Sequence, residues 1–385
     1  MDITIVIVAR NAEQTIERAI TSAGVQDDCP ILLVDDASTD NTVALAQEIE
    51  SNRLTVRQIR QHTTLGAARQ TALSAIKTKY AVWLDADDEF YPERAACMLD
   101  ALKRDGSDIA ADCLDLYDGE TNTFLKSVET PDFIKQVNPI RLLERNYLPG
   151  IGQVAFKTEY FRTLGYDIAL DHAEDVDIVL RAVYNGAQFS FVDDVGYRMY
   201  AYKNSVSRQL NKQRCAYRIC LKKFPYDGIR ERYLNHGIAN RIASWALVAI
   251  ALFREEYEFA LNTIQTELAD AAKDNTVLEP FGPEPFTENW RYYFFNGTVQ
   301  LFLNQDAQAV ASLEQAANIR ESAETYNNLG VAYARLGKAE QSRIAFEKAL
   351  SISPDYLDAR KNLENPSEIT SHPLRVFPGR NEYGS

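Results

Sequence analysis

Tyr80-Ala81-Val82-Trp83-Leu84-Asp85-Ala86-Asp87-Asp88-Glu89 is the stretch that decides the fold, because an apolar strand in it runs directly into acidic residues. The first five residues suit a strand that is covered on both faces of a sheet. Asp85 and Asp87 follow two positions apart, and such a carboxylate pair can share a hard cation such as Mg²⁺ or Mn²⁺. Taken alone, the stretch is equally compatible with a solvated acidic turn.

An alternation of strands and helices leads up to this stretch. The segments Ile3–Ala9, Ile31–Val34 and Leu54–Ile59 are rich in β-branched and aliphatic residues and predict three buried strands. Helical patterns follow them over residues 12–23, 38–50 and 66–77, the second with Ser38, Thr39 and Asp40 as candidate N-caps. This order predicts an α/β fold with a mostly parallel sheet flanked by helices and right-handed crossovers.

Polar residues stand at the ends of three of these strands: Arg10-Asn11, Asp35-Asp36 and Asp85-Ala86-Asp87. The carboxyl ends of parallel strands meet at one sheet edge, where open α/β folds bind ligands. This convergence favours a binding site over a solvated turn. The glycine-rich fingerprints of dinucleotide and phosphate-loop proteins are absent from the sequence, which disfavours those two classes.

The following hundred residues predict a more varied set of elements. We expect two strands within residues 109–129 around a turn at 118–120, a short helix at 139–146 and a strand at 153–156. Thr158 is a candidate N-cap for a helix that runs to Leu164, and residues 171–175 open another helix. Two short strands from Ala187 to Tyr202 and helices from Gln209 onward follow. Asp175 lies in a first helical turn, where the helix dipole favours its charged form. The alternative interpretation is that Glu174, Asp175 and Asp177 are surface acids that complement the helix dipole, which is common at helix starts.

Composition limits the classes of function. The 385 residues, 46% of them hydrophobic, suffice for two or three globular domains. A net charge of −14 argues against nucleic acid or an anionic membrane as partner, although a local basic patch is compatible with that total. The five cysteines lack metal-type spacing, and the four histidines are scattered. The sequence contains no apolar run of transmembrane length and no signal-peptide pattern. These features predict a cytoplasmic protein, either free or held peripherally at the inner face of a membrane.

Residues 1 to about 210 resemble the family 2 glycosyltransferases, which have the GT-A fold. The resemblance rests on four segments in the family's order: Ile5–Asn11, Leu33–Thr42, Gly66–Ala72 leading to Trp83–Asp88, and Glu174–Arg181. It implies that Ala9, Arg10 and Asn11 border the base and ribose of a nucleotide. It also implies that Asp36 accepts a hydrogen bond from the base and that Arg69 lies near the base or the phosphates.

The same resemblance implies the chemistry of the reacting groups. Asp87 would bind a divalent Mn²⁺ or Mg²⁺ ion, and Asp85 would contact the ribose or reach that ion through water. Asp175 would act as the general base beside Glu174, which would contact the substrate. The donor implied is a nucleoside diphosphate sugar, with a UDP-sugar favoured, and one in-line displacement would invert the anomeric carbon.

Two positions depart from the family pattern. Relatives often carry an aromatic residue at the place of Arg10 that stacks on the base, and a guanidinium can also stack. Relatives also often carry a histidine in the segment that starts at Tyr197-Arg198, where this chain offers Tyr202. The sequence lacks the Gln-x-x-Arg-Trp pattern and membrane spans, which disfavours a processive polysaccharide synthase.

The C-terminal part resembles tetratricopeptide repeats. One strong copy is marked by Tyr326, Leu329, Gly330, Tyr333, Phe346, Ala349 and Pro354. A weaker copy precedes it around Tyr293, Gly297, Ala309, Leu313 and Ala316, and residues 239–272 predict a further helical pair. A plain helical bundle is the alternative interpretation.

These observations predict a glycosyltransferase domain over 1–210, a helical linker over 211–238, helical repeats over 239–365 and a disordered tail over 366–385. The function predicted is metal-dependent, inverting sugar transfer to a hydroxyl of a glycan, lipid or protein acceptor that the sequence does not identify. The alternative is a catalytically weak nucleotide-sugar-binding protein whose repeats recruit a partner. The repeats also predict either a protein partner or self-association.

Overall fold

The computed structural model describes residues 1–49, 51–136, 139–144, 146–202, 210–277, 287–354 and 356–365. The chain forms two compact units, Met1–Pro225 and Tyr226–Ser385. The predicted domain limits at residues 210 and 239 lie on either side of this division. The predicted tail, 366–385, and the proline-containing loop at 280–285 lie outside the described residues.

Strands and helices alternate in the N-terminal unit. Its strands are β1 (Ile3–Ala9), β2 (Ile31–Asp35), β3 (Leu54–Gln58), β4 (Tyr80–Asp85), β5 (Glu89–Phe90), β6 (Ile109–Asp118), β7 (Phe124–Val128), β8 (Ala155–Lys157) and β9 (Phe189–Ala201). Its helices are α1 (Ile16–Gly24), α2 (Thr42–Glu48), α3 (Leu65–Ala75), α4 (Arg94–Asp105), α5 (Asp132–Gln136), α6 (Thr158–Leu164), α7 (Glu174–Tyr184) and α8 (Leu210–Leu221), with a 3₁₀ helix over Pro139–Leu143.

One sheet contains all nine strands, in the order β3-β2-β1-β4-β8-β6-β9-β5 with β7 beside β6. The four strands predicted first pair in parallel, and so do β6 and β9; the remaining pairings are antiparallel. The predicted α/β class is therefore confirmed, and each antiparallel pair includes at least one of the strands β6 to β9. The register sets Ala9 opposite Asp35 and Val8 opposite Asp85, so three strands end side by side.

The core of this unit lies between the sheet and its helices. Ile3, Ile5 and Ile7 of β1 are fully buried because both faces of this central strand are covered. On α1, apolar residues at helical spacing face the same core: Ile16, Ala19, Ile20 and Ala23. These elements fix the strand ends on which the polar residues stand.

The prediction of two short strands after Ala187 is wrong. The chain forms one strand, β9, whose 13 residues run parallel to the 10 residues of β6. The register shifts between Ala111 and Leu114 absorb the extra length of β9. The Asp193-Asp194 pair has the composition of a turn, but it is accommodated within this irregular stretch of strand.

Two predicted N-caps differ from the structure. Helix α2 begins at Thr42 after Asn41, and Asp40 accepts hydrogen bonds from both the amide and the hydroxyl of Thr42. Asp40 therefore acts from the position just before the N-cap residue, Asn41. Thr158 is the first residue of α6 rather than its cap, and its buried hydroxyl has no hydrogen-bond partner within the described parts of the chain.

The C-terminal unit is all-helical. Its helices are α9 (Tyr226–Asn235), α10 (Asn240–Arg254), α11 (Tyr257–Glu267), α12 (Glu288–Phe302), α13 (Asp306–Ile319), α14 (Ala323–Arg335), α15 (Ala339–Ile352) and α16 (Leu357–Glu364), with a 3₁₀ helix over Ala269–Lys273. A Cβ at Gly330 of α14 would lie 2.5 Å from the Phe346 ring, and one at Gly297 of α12 would lie 2.6 Å from Leu313. Glycine thus permits close helix contact in two successive pairs, as a repeat requires.

Membrane-spanning elements were sought among the helices that the structure describes. None of them combines the length and the apolar character needed to cross a bilayer.

Candidate active site

The predicted polar residues of the first strands lie along the carboxyl edge of the sheet. Strands β1, β2 and β4 pair with one another and end at Ala9, Asp35 and Asp85. The Asp36 amide donates to the Ala9 carbonyl at 2.8 Å. Asn11 has a positive φ of 50° and links two loops at this edge. Its Oδ1 accepts from the Thr39 amide at 2.8 Å.

Asp36 is buried and belongs to a chain of polar groups. Its Oδ2 lies 2.6 Å from Nδ1 of His62, and its Oδ1 accepts from the Thr63 amide and hydroxyl, both at 3.0 Å. Nη1 of Arg10 lies 2.7 Å from Nε2 of His62. Because a guanidinium can only donate, Nε2 accepts and the imidazole carries its proton on Nδ1. His62 was not predicted as a site residue, since nothing in its neighbouring residues links it to Asp36.

Asp85 is held by a donor on each oxygen. Nη2 of Arg69 donates to Oδ1 at 3.1 Å, and the Gln153 amide donates to Oδ2. Gln153 is itself fixed, because Nη2 of the buried Arg94 donates to its carbonyl at 2.6 Å. Gln153 was predicted only as a strand residue, and its contact with Asp85 spans 68 positions of sequence.

Asp87 presents the open carboxylate of the pair. No side chain within the described residues donates a hydrogen bond to its carboxylate, although Arg18 donates to its backbone carbonyl. Burial and then the nearby Asp85 charge raise the pKa of Asp87 to about 6. The same Arg18 donates to the Tyr202 hydroxyl at 3.1 Å. Tyr202, the residue that departs from the family pattern, therefore lies close to the Asp87 turn.

Asp88 is not part of a solvated turn. It is buried, and its carboxylate accepts from the Tyr197 hydroxyl and the Tyr200 amide, each at 2.8 Å. Glu89 pairs with Arg198 at 3.3 Å. These two acids connect the turn after β4 to strand β9 and so help to fix the turn that carries Asp87.

Arg69 joins two distant carboxylates inside the protein. It is 5% exposed, its Nε donates to Oε1 of Glu174 at 2.8 Å, and its guanidinium stacks over Trp83 at 4.6 Å. Glu174 is 2% exposed. Burial, with the Asp175 charge as the second cause, raises the pKa of Glu174 to about 7 against the lowering effect of Arg69.

Asp175 follows Glu174 in the first turn of α7 and is half-buried. Desolvation raises its pKa above the usual range of an aspartate. A Cβ at Gly152 would lie 2.4 Å from Asp175 Oδ2, so only glycine lets the loop at residues 149–153 approach this carboxylate. Asp177 is fully buried and accepts from Arg181 and Lys223. The surface-acid interpretation is therefore wrong for Glu174 and Asp177.

The carboxylates can be tested for fit to a divalent cation. The described part of the chain contains no cluster of three or more metal-type side chains. Mg²⁺ is usually held by one or two carboxylates and completed by phosphate oxygens and water. Asp87, with an open carboxylate beside Asp85, fits such a site, in which a diphosphate would supply further ligands.

Comparison with known proteins gives a family match for the N-terminal part of the chain. Residues 4–164 match the model for glycosyl transferase family 2. This part of the chain is a family 2 glycosyltransferase domain. Residues 323–356 match a tetratricopeptide repeat model, which confirms the stronger of the two predicted repeats.

Curated relatives of the glycosyltransferase domain include two Rhizobium meliloti proteins and one from Escherichia coli. Succinoglycan biosynthesis protein ExoU is 29% identical over 223 residues, 54% of this chain and 64% of ExoU. Succinoglycan biosynthesis protein ExoO is 28% identical over 60% of this chain and 71% of ExoO. The uncharacterized glycosyltransferase YibD is 23% identical over 46% of this chain and 54% of YibD. The matched segments thus span between 54% and 71% of these relatives.

Among solved structures, residues 1–349 of Staphylococcus aureus TarS are similar over 92% of this chain and 93% of that chain. The two are 14% identical, and the TM-score is 0.49.

Proposed function

We propose that this protein transfers a sugar from a nucleoside diphosphate sugar to an acceptor hydroxyl, with inversion at the anomeric carbon and with the aid of Mg²⁺ or Mn²⁺. The observation that carries the proposal is that Arg69 donates to both Asp85 and Glu174. It thereby connects two pairs of carboxylates, Asp85 with Asp87 and Glu174 with Asp175. One pair of carboxylates serves the leaving group and the other serves the acceptor.

The donor nucleotide is assigned to the edge formed by β1 and β2. The two oxygens of Asp36 accept three hydrogen bonds, and a carboxylate has room for about four, so one N–H of a base can still donate to it. Ala9 and Asn11 border the ribose in this proposal, and Arg10 offers a guanidinium face for stacking. We take a UDP-sugar as the donor, in keeping with the resemblance to the family.

The leaving group is assigned to Asp85 and Asp87. A divalent cation supplies Lewis-acid stabilisation of the negative charge that gathers on a diphosphate. Asp87 would hold that cation, because its carboxylate is open and close to the Asp85 charge. Arg69 and Gln153 donate to the two oxygens of Asp85 and so hold its carboxylate in one orientation.

Activation of the acceptor is assigned to Asp175. A carboxylate that takes the hydroxyl proton typically contributes about 10²–10⁴-fold to the rate. The raised pKa of Asp175 makes it a stronger base than an exposed aspartate, and it must be ionised to act. Glu174 and Arg69 are assigned to positioning, since both are buried and paired with each other.

The test is turnover of UDP-sugars by the full chain in the presence of Mn²⁺, scored as transfer to added acceptors or to water. We expect Asp87→Ala to abolish turnover and Asp175→Asn to lower it by about 10²–10⁴-fold. Asp100→Asn on the exposed face of α4 is the matched control and should behave as wild type.

Two results would contradict the proposal. Binding of UDP-sugars without turnover by the wild-type protein would favour the nucleotide-sugar-binding alternative. Full transfer by Asp175→Asn to an acceptor that the wild-type protein uses would remove Asp175 from the base role.

A further inference from the structure

A basic segment lies within this acidic chain. Eight of its 41 Lys and Arg residues fall between Asp194 and Asp227, and no Asp or Glu interrupts them. Five of the eight belong to α8 or to the two positions after it: Lys212, Arg214, Arg218, Lys222 and Lys223. The local charge therefore has the opposite sign to the net charge of −14.

One face of α8 is anchored to the glycosyltransferase domain. Cys220 and Leu221 are fully buried, and the Cys220 thiol lies 3.6 Å from the Ala173 carbonyl, just before α7. The Tyr217 hydroxyl donates to the Leu142 carbonyl at 3.2 Å. Lys223 is paired with Asp167 and Asp177, so its charge is already neutralised within the protein.

The opposite face of α8 carries cationic and apolar groups, all exposed to solvent except the half-buried Arg218, whose Nη2 donates to the Cys215 thiol at 3.5 Å. Cys215, Arg218, Ile219 and Lys222 follow each other at helical spacing, and Ile219 is 53% exposed. Cys215 and Lys222 are also exposed, and Arg218 is half-buried. Helices that lie on a membrane surface combine cationic side chains with apolar ones that enter the lipid.

We propose that the outward face of α8 docks this protein on a surface of anionic lipids. Arg218 and Lys222 would contact head groups, and Ile219 would enter the boundary with the acyl chains. The two cationic side chains lie along one helix face and do not converge on one point. They therefore match an extended array of anionic head groups better than a single phosphate. Acidic residues elsewhere act weakly across such an interface, because salt screens charges beyond about 8 Å.

The position of α8 also bears on the acceptor. Helix α8 packs on α7, which carries Asp175 in its first turn. Taken with the proposed sugar transfer, on which this step depends, docking through α8 favours an acceptor carried by a lipid.

The experiment is co-sedimentation of the full chain with vesicles, which needs no activity and so separates this proposal from the proposed function. We expect binding to phosphatidylcholine vesicles that contain phosphatidylglycerol, loss of binding at high salt, and little binding to pure phosphatidylcholine. Each neutralised cation should weaken binding about fivefold, so Arg218→Gln with Lys222→Gln should weaken it roughly 25-fold. Ile219→Ser should weaken it as well.

The matched control is Lys77→Gln with Lys103→Gln, which removes two exposed cations elsewhere and should leave binding unchanged. The single variant Lys222→Gln, at an exposed position, repeats the test with little risk to folding. No binding of the wild-type protein to anionic vesicles would overturn the proposal. Equal binding by the α8 variants, or binding only to soluble polyphosphate, would overturn it too.

Discussion

Arg69 shows how much of this site depends on one side chain. Its guanidinium meets Glu174 at 2.8 Å and Asp85 at 3.1 Å and stacks on Trp83. A buried ion pair of this kind contributes little net stability, because desolvation of the charges offsets their attraction. Its clearer effect is geometric, since one rigid planar group sets the separation of two carboxylates.

Replacing Arg69 by lysine tests this positioning role. A single ammonium cannot donate to both carboxylates in the geometry of a planar guanidinium. We expect Arg69→Lys to lower kcat by about 10- to 100-fold, because small displacements of reacting groups are costly. The affinity for UDP, measured by calorimetry, should stay within about twofold of wild type.

Arg104→Lys provides the control, since Arg104 is exposed and pairs only with Asp105 among the described residues. The opposite pattern, a large loss of UDP affinity with kcat preserved, would show that Arg69 contacts the donor directly. Sequence analysis assigned Arg69 to the neighbourhood of the base or phosphates, and this measurement decides between the two roles.

His62 and Gln153 mark where residue-level prediction from sequence ends. Each contacts a carboxylate that the sequence did single out, at separations of 26 and 68 positions. Local patterning carries information about strands, helices and turns, but not about which loops meet in space. The strand-end acids were found because the strand pattern itself places them at one edge.

At the scale of elements, prediction succeeded where the pattern was regular. The strands β1, β2, β3 and β4 were placed to within one residue at each end, because aliphatic runs separated by amphipathic helices have a regular signature. The prediction failed at β9, where the Asp193-Asp194 pair has the composition of a turn but lies inside a strand with shifted register.

Gly330 provides a test of packing between α14 and α15. A methyl group there would lie 2.5 Å from the Phe346 ring, so the helices must separate or the ring must move. We expect Gly330→Ala to destabilise the protein by about 1–3 kcal/mol in urea unfolding, as overpacked cores do.

Gly24→Ala is the matched control, because a Cβ there meets nothing within 4 Å. Alanine at this position should be neutral or should stabilise the protein by about 0.4–1 kcal/mol through the unfolded chain. Equal destabilisation by both variants would mean that the contact with Phe346 is not the cause.

At the scale of the whole molecule, net charge and local charge differ in sign. The total of −14 argues against an anionic partner surface but is compatible with a local basic patch, and basic residues do cluster on and beside α8. Charge interactions act over about a Debye length, so the local distribution matters more than the sum.

Ligand-dependent thermal stability tests the donor site in the intact protein. A ligand that binds only the native state adds about 2.7 kcal/mol of stability at a hundredfold excess over Kd. We expect UDP with Mn²⁺ to raise the Tm more than UDP or Mn²⁺ alone. Asp87→Ala should remove the increment that depends on Mn²⁺ and keep part of the UDP increment, while Asp100→Asn should keep both. A full Mn²⁺ increment in Asp87→Ala would exclude Asp87 as the metal ligand.

The bridge made by Arg69 also has a consequence for synthesis on the ribosome. Arg69 and Glu174 are 105 positions apart, so the guanidinium leaves the exit tunnel several seconds before its partner does, at about 5–20 residues per second. During that interval strands β1 to β4 can pair, but the cation beneath them lacks one of its two anions. Until α7 emerges, Arg69 can therefore pair with Asp85 but not with Glu174.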